Sequence, residues 1–130
     1  MRLIVADASA WVEYLLGTER SGPVAAAVTA LDADLHVPAL CDVEVVAALR
    51  RALLARSLTE RRAREALADY RALPITRHGP EPFLERALAL RHNFSAYDAT
   101  YVALAEGLRA ELMTADEALA RAARSHVRLV

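Results

Sequence analysis

Asn93-Phe94-Ser95-Ala96-Tyr97-Asp98-Ala99-Thr100-Tyr101-Val102-Ala103-Leu104-Ala105-Glu106-Gly107-Leu108, continued by Arg109-Ala110-Glu111-Leu112-Met113-Thr114-Ala115-Asp116-Glu117-Ala118-Leu119-Ala120-Arg121-Ala122-Ala123, is the stretch that decides the fold. Its pattern predicts a helix from Ser95, a turn at Gly107, a short strand over 111–114 and a second helix from Asp116. One acid, Asp98, lies inside the first helix. Another, Asp116, lies where the strand gives way to the second.

The same alternation runs outward through the whole chain. Leu3-Ile4-Val5-Ala6 is a short apolar run that fits a strand buried on both faces. Asp7-Ala8-Ser9 turns it into a helix with Trp11, Val12, Leu15 and Leu16 apolar, and Gly17 suits its C-terminal stop. Ser21-Gly22-Pro23 opens a helix carried by Val24, Ala27, Val28 and Leu31. A second strand, Leu35-His36-Val37-Pro38, leads into a long helix over 39–55 with Leu40, Val43, Ala47 and Leu54 expected on its core side. The capping-box pattern at 57–60 opens a further helix with Ala63, Ala66, Leu67 and Tyr70 as its stripe. A weak strand over 73–76, a helix over 81–90 and a last strand over 127–130 complete the pattern. Strands alternating with helices imply βαβ units: an α/β fold with a parallel sheet and helices on both faces.

The chain has 130 residues, the size of one domain, with no internal repeat, linker or low-complexity tract. No apolar run reaches the roughly 20 residues that a membrane span needs, and no signal-peptide pattern opens the chain, so a cytoplasmic protein is expected. One cysteine, Cys41, excludes an internal disulfide and a thiolate metal cage. The histidines His36, His78, His92 and His126 are scattered. A metal here would therefore take oxygen ligands, which points to Mg²⁺ or Mn²⁺. All 16 basic residues are arginine. Schiff-base catalysis, Walker-type phosphate loops and receiver-type phosphorylation sites need lysine and are excluded.

Four acids occupy comparable places. Asp7 and Asp116 each follow a strand, and in open α/β sheets ligands bind beyond the carboxyl ends of the strands at a topological switch point. Glu44 shares a helix face with Leu40, Ala47, Ala48 and Arg51. Asp98 shares one with Phe94, Tyr101, Val102 and Ala105. Carboxylates on apolar faces are costly unless paired or ligated. Each acid but one also has an ordinary reading: Asp7 and Asp116 as helix caps, Asp98 as part of a Ser95-x-x-Asp98 capping box. Glu44 lies past the first turn and has no such role, unlike its neighbour Asp42, which suits the helix dipole.

These residues carry a resemblance. Val5-Ala6-Asp7-Ala8-Ser9-Ala10, Pro38-Ala39-Leu40 with Glu44-Val45, the run from Ser95-Ala96-Tyr97-Asp98 to Ala105, and Thr114-Ala115-Asp116 are similar to the four motifs of PIN-domain proteins. Within them the chain most resembles the VapC toxins of bacterial toxin–antitoxin pairs. The resemblance spans residues 1–130 as a single PIN domain. It implies a three-layer α/β/α fold with a five-stranded parallel sheet. It also implies a metal-dependent endoribonuclease whose acidic cluster is Asp7, Glu44, Asp98 and Asp116, with hydroxyls at Ser9 and Thr114 orienting the acids. A homodimer, held inactive by a cognate VapB-type antitoxin, is implied as well. One departure is visible: Ala47 stands where many relatives carry Asn, which touches a supporting polar contact and leaves the ligand set whole.

The chemistry expected is phosphodiester hydrolysis assisted by one or two Mg²⁺ or Mn²⁺ ions, with Asp7 and Asp98 as direct ligands and Glu44 and Asp116 completing the cluster. The arginine-rich hairpin over 50–71 reads either as a solvated face or as RNA contact, which is expected above all of Arg51, on the face of Glu44, with Arg50 beside it. Trp11 and Tyr14 read as core or dimer contacts, and Cys41 as a small buried hydrophobe. Two rivals are weighed, the second of them the alternative reading. A haloacid-dehalogenase-like phosphatase needs an acid where Ser9 stands and a lysine the chain lacks. A non-catalytic PIN-fold module that binds RNA or protein has no need of all four acids.

Overall fold

The computed structural model describes residues 1–18 and 21–130. In chain order the elements are β1 (Arg2–Ala6), α1 (Ala8–Leu16), α2 (Ser21–Val28), β2 (Ala33–Pro38), α3 (Leu40–Leu54), α4 (Glu60–Ala72), β3 (Ile75–His78), a 3₁₀ turn (Glu81–Phe83), α5 (Leu84–Ala89), α6 (Ala96–Leu108), β4 (Glu111–Met113) and α7 (Glu117–Ala123). The strands form one sheet in the order β3-β2-β1-β4, and every pairing is parallel. Successive strand side chains point to opposite faces. Ile4, Val5 and Ala6 are nonetheless all fully buried, so both faces of β1 are covered. That is why β1 reads as an unbroken apolar run rather than an alternating one. Among the described residues no helix is long and apolar enough to cross a membrane.

The sheet has four strands among the described residues, not the five expected. The segment over 127–130 meets β4 through one parallel bridge, Leu112 with Leu129. Its hydrogen bonds run from Leu112 N–H to the Arg128 carbonyl at 2.8 Å and from Val130 N–H to the Leu112 carbonyl at 3.0 Å. Two constraints limit the ladder. β4 has only three residues, and 126–127 are held in a turn by bonds from His126 and Val127 N–H to the Ala123 carbonyl at 2.9 and 3.0 Å.

Several local readings shift. Helix α3 buries Cys41, Val45 and Leu49. Val43 and Leu54, expected inside, are 71% and 67% exposed. The apolar stripe is thus rotated from the expected one, and Glu44 stands at its edge rather than on the core. Helix α4 is capped by Thr59, which accepts from Arg62 N–H at 3.1 Å, and not by Ser57. The expected helix over 81–90 divides into the 3₁₀ turn and α5. Leu31 is fully exposed. Gly17 does stop α1, in the left-handed region at φ 62°.

Gly107 does not make the turn; it lies within α6, where an added Cβ would stand 3.0 Å from the Phe83 ring. The turn belongs to Arg109, at φ 55°. Its N–H returns to the Glu106 carbonyl at 3.1 Å, and Ala110 N–H returns to Ala105 at 2.9 Å. This is the closure that glycine usually provides at a helix end. A left-handed conformation costs an L-residue with a side chain about 1 kcal/mol. Arg109 is exposed, so Arg109→Gly is expected to stabilise the protein by about 1 kcal/mol, raising Tm by about 4 °C in thermal denaturation. An unchanged or lower Tm would contradict this reading of the turn.

Candidate active site

Strand order places the switch point. From β1 the chain moves to β2 and β3 on one side, while β4 returns on the other. The crevice at the carboxyl ends of β1 and β4 is therefore where such folds take ligands. Ala6 is in register with Met113, and Asp7 N–H extends the ladder to the Met113 carbonyl at 3.0 Å. That register sets Asp7 beside Thr114.

Asp7 caps α1 and is held on both oxygens. Oδ1 accepts from the Ser9 hydroxyl at 2.6 Å and from Ala10 N–H at 3.0 Å. Oδ2 accepts from the Thr114 hydroxyl at 2.6 Å. Each hydroxyl has one proton, and both protons go to Asp7. The hydroxyl oxygens in turn accept backbone donors: Ala115 N–H to Ser9 Oγ at 2.9 Å and Asp116 N–H to Thr114 Oγ1 at 3.0 Å. The expected supporting hydroxyls are thus the inner layer of the site. Asp7 is only 6% exposed. Burial raises its pKa above the ordinary carboxylate value despite these three donors, and the Asp116 charge adds to the rise.

Asp116 caps α7, with Oδ1 accepting from Ala118 and Leu119 N–H at 2.9 and 3.1 Å. Its capping role is real and occupies one oxygen. Asp98 lies in the first turn of α6. Ser95 caps that helix by accepting Asp98 N–H at 3.1 Å. The reciprocal half of a capping box does not form: among the described residues the Asp98 carboxylate has no hydrogen-bond donor. Burial first, then the charges of Asp116 and Asp7, raise its pKa. Glu44, on α3, accepts at Oε1 from the Tyr101 hydroxyl at 2.7 Å. Burial also raises its pKa, with Asp7 and Asp98 contributing.

All four acids line one cleft of about 450 Å³, together with Ser9, Val12, Glu13, Ala47, Ala48, Arg51 and Tyr101. They line its wall rather than a ready-made cage: among the described residues no three acid, histidine or cysteine side chains are arranged to hold an ion unaided. Arg51 is the cleft's cation, and among the described residues no carboxylate pairs with it. Arg50 is directed elsewhere, into a groove between α3 and α4 with Val46, Leu53 and Leu67. Consecutive helix residues point about 100° apart, which separates the two arginines. Of the other hairpin arginines, Arg64 pairs with Glu60 at 2.8 Å, Arg61 with Glu65 at 3.4 Å, and Arg62 donates to the Leu15 carbonyl.

Two cleft residues carry no role in the motif reading. Glu13 falls at the helical spacing i+4 from Ser9, a signal present in the sequence. Tyr101 falls at i+3 from Asp98, but its partner Glu44 is 57 residues away in the chain, so only folding reveals the contact.

Comparison with known proteins identifies the family and the fold. The PIN domain family model matches residues 4–125. Ribonuclease VapC12 of Mycobacterium tuberculosis is 38% identical over 119 residues, covering 92% of this chain and 91% of that protein. Ribonuclease VapC9 of the same organism is 42% identical over 114 residues, covering 88% and 86%. Among solved structures, the M. tuberculosis toxin VapC20, described as cleaving the sarcin-ricin loop, superposes with a TM-score of 0.67 at 20% identity, covering 92% of this chain and 94% of that one. VapBC2 from Rickettsia felis, bound to a DNA fragment from its promoter, superposes at 0.64 with 12% identity, covering 98% and 97%. The chain belongs to the PIN domain family, among its VapC ribonucleases.

Proposed function

We propose that this protein is a divalent-metal-dependent endoribonuclease, the toxin of a VapBC-type toxin–antitoxin pair, working in the cytoplasm as a homodimer under control of a VapB-type antitoxin. The observation that carries this reading is the convergence of Asp7, Glu44, Asp98 and Asp116 on one cleft at the β1–β4 switch point. Curated relatives named as ribonucleases support the activity, and the complex from Rickettsia felis supports the antitoxin partner.

The donor set fits a hard cation. Every candidate ligand is a carboxylate oxygen, and three of the acids have pKa values raised by burial and mutual repulsion. That excess of confined negative charge suits Mg²⁺ or Mn²⁺. Asp7 and Asp98, with the free oxygens of Glu44 and Asp116, would hold the ion. When bound, the ion supplies neutralising charge, a lowered pKa for attacking water and stabilisation of the charge developing on phosphate. The chain's own residues do the rest. Ser9 and Thr114 keep Asp7 from rotating. Arg51 binds a phosphate of the RNA backbone and offsets the acids' repulsion of it.

Asp98→Asn is expected to lower kcat about a hundredfold or more, equivalent to about 2.7 kcal/mol of barrier. It should raise the metal-free Tm, because it removes a charge repelled by Asp7 and Asp116. Cleavage of labelled RNA and a melting curve in EDTA check both; normal activity would sink the ribonuclease reading.

The pH dependence follows from the raised carboxylate pKa values. The folded acids hold their protons more tightly than the unfolded chain does. Their contribution to stability is complete below the ordinary carboxylate range and is lost as pH rises through the raised values. A cation competes with those protons. The Tm increase caused by Mn²⁺ is therefore expected to grow from about pH 5 to about pH 8. A flat or falling increment in thermal shift measurements would refute it.

Arg51→Ala should raise KM and flatten the salt dependence of RNA binding, changing the log–log slope by about 0.7 for a single-stranded substrate. Arg50→Ala, on the other groove, serves as the comparison. An equal slope in Arg51→Ala and the wild type would remove Arg51 from the RNA path.

A further inference from the structure

We propose that Tyr101 is the positioning residue for Glu44: its phenol holds one carboxylate oxygen so that the other is offered to the cleft, and divalent-cation affinity depends on that bond. The inference rests on the metal-dependent reading of the cleft and extends it to a residue outside the four acids.

The acids differ in how they are held. Asp7 has three donors, two hydroxyls and a backbone N–H. Asp116 has two backbone N–H groups at the start of its helix. Asp98 sits in a first helical turn, on a short side chain. Glu44 has the longest side chain of the four, and it lies inside α3 where backbone N–H groups are consumed by the helix. No backbone donor is free to fix it. Its hydrogen bond comes from Tyr101, at 2.7 Å.

Tyr101 suits that task because it is packed in the core. It is 1% exposed. Cys41 and Tyr70 are buried in the same core as Tyr101. Tyr70 is itself tied, donating to Asp42 Oδ1 at 2.8 Å, and Asp42 is held by Arg77 at 2.9 Å. A phenol has one proton, and a carboxylate accepts it far better than a thiol does. The proton is therefore committed to Glu44. Donors behind a metal ligand fix its orientation and commonly matter about ten- to a hundredfold in affinity or activity. Tyr101 also follows Asp98 by one helical turn. α6 thus supplies one acid directly and steadies another across the cleft.

The test uses the RNA-free protein and calorimetric titration with Mn²⁺, alongside kcat and KM for RNA cleavage. Tyr101→Phe keeps the ring and removes only the hydroxyl. Mn²⁺ affinity is expected to fall about tenfold, with kcat lowered and KM for RNA unchanged, since the ring lining the cleft is kept and only the hydroxyl committed to Glu44 is removed. Added to Glu44→Gln, it should cause little further loss. Tyr70→Phe removes the neighbouring buried hydroxyl, which serves Asp42, and should leave Mn²⁺ affinity intact. The proposal is overturned if Tyr101→Phe binds Mn²⁺ within about twofold of wild type, if its loss adds fully to that of Glu44→Gln, or if Tyr70→Phe loses as much. Should the wild-type protein itself bind no Mn²⁺, the metal-dependent reading falls and this inference with it. A wild type that binds while Tyr101→Phe binds equally well removes the inference alone.

Discussion

The arrangement around Asp7 is the constraint on which the rest of the site depends. A carboxylate 6% exposed at the end of a fully buried strand is costly unless it is hydrogen-bonded. Here it is bonded three times, by Ser9 and Ala10 from its own helix start and by Thr114 from the end of the neighbouring strand. The third bond is the consequential one. It ties the carboxyl end of β1 to that of β4 across 107 positions of sequence. The same Thr114 oxygen then accepts Asp116 N–H, so positioning one acid also positions the next.

The other two acids approach from helices, and the electrostatics of the cleft follow from that. Negative charge accumulates from β1, α3, α6 and the start of α7 while the paired arginines remain elsewhere. Arg2 with Glu111 and Arg86 with Glu106 form good ion pairs at 2.7 and 2.8 Å, but on the periphery. Peripheral pairs of that kind contribute little to stability. Among the described residues, Arg51 is the one cation lining the cleft. A fold selected for stability alone would not bring four carboxylates together with so little compensation. This uneven placement is what makes the cleft the candidate site.

Much of this was legible before folding. Apolar runs at 3–6 and 35–38, and strand-to-helix turns at Asp7 and Asp116, give the parallel α/β architecture because periodicity and capping are local signals. Asp98 and Glu44 were legible as acids on helix faces. Where local reading failed, a non-local contact was deciding. The face of α3 could not be phased from Leu40, Val43 and Leu54, because an Ala- and Val-rich helix is apolar on several sides and its neighbours choose which side is buried. Gly107 looked like a turn. In fact it gives room to Phe83, while Arg109 accepts the left-handed conformation. The last strand shrank to a bridge because β4 offers so short an edge.

The sequence by itself determined the class of fold and marked four acids and two hydroxyls as candidates, since each is encoded by residue type and short-range spacing. Only the tertiary structure decided how they are used. It made the Ser9 and Thr114 protons converge on Asp7. It left the Asp98 carboxylate free of its capping serine. It sent Arg51 into the cleft and Arg50 away from it, and it brought Tyr101 to Glu44. These are contacts between elements far apart in the chain, fixed by the order of strands in the sheet and the rotation of helices upon it. No short-range pattern of residues specifies either one.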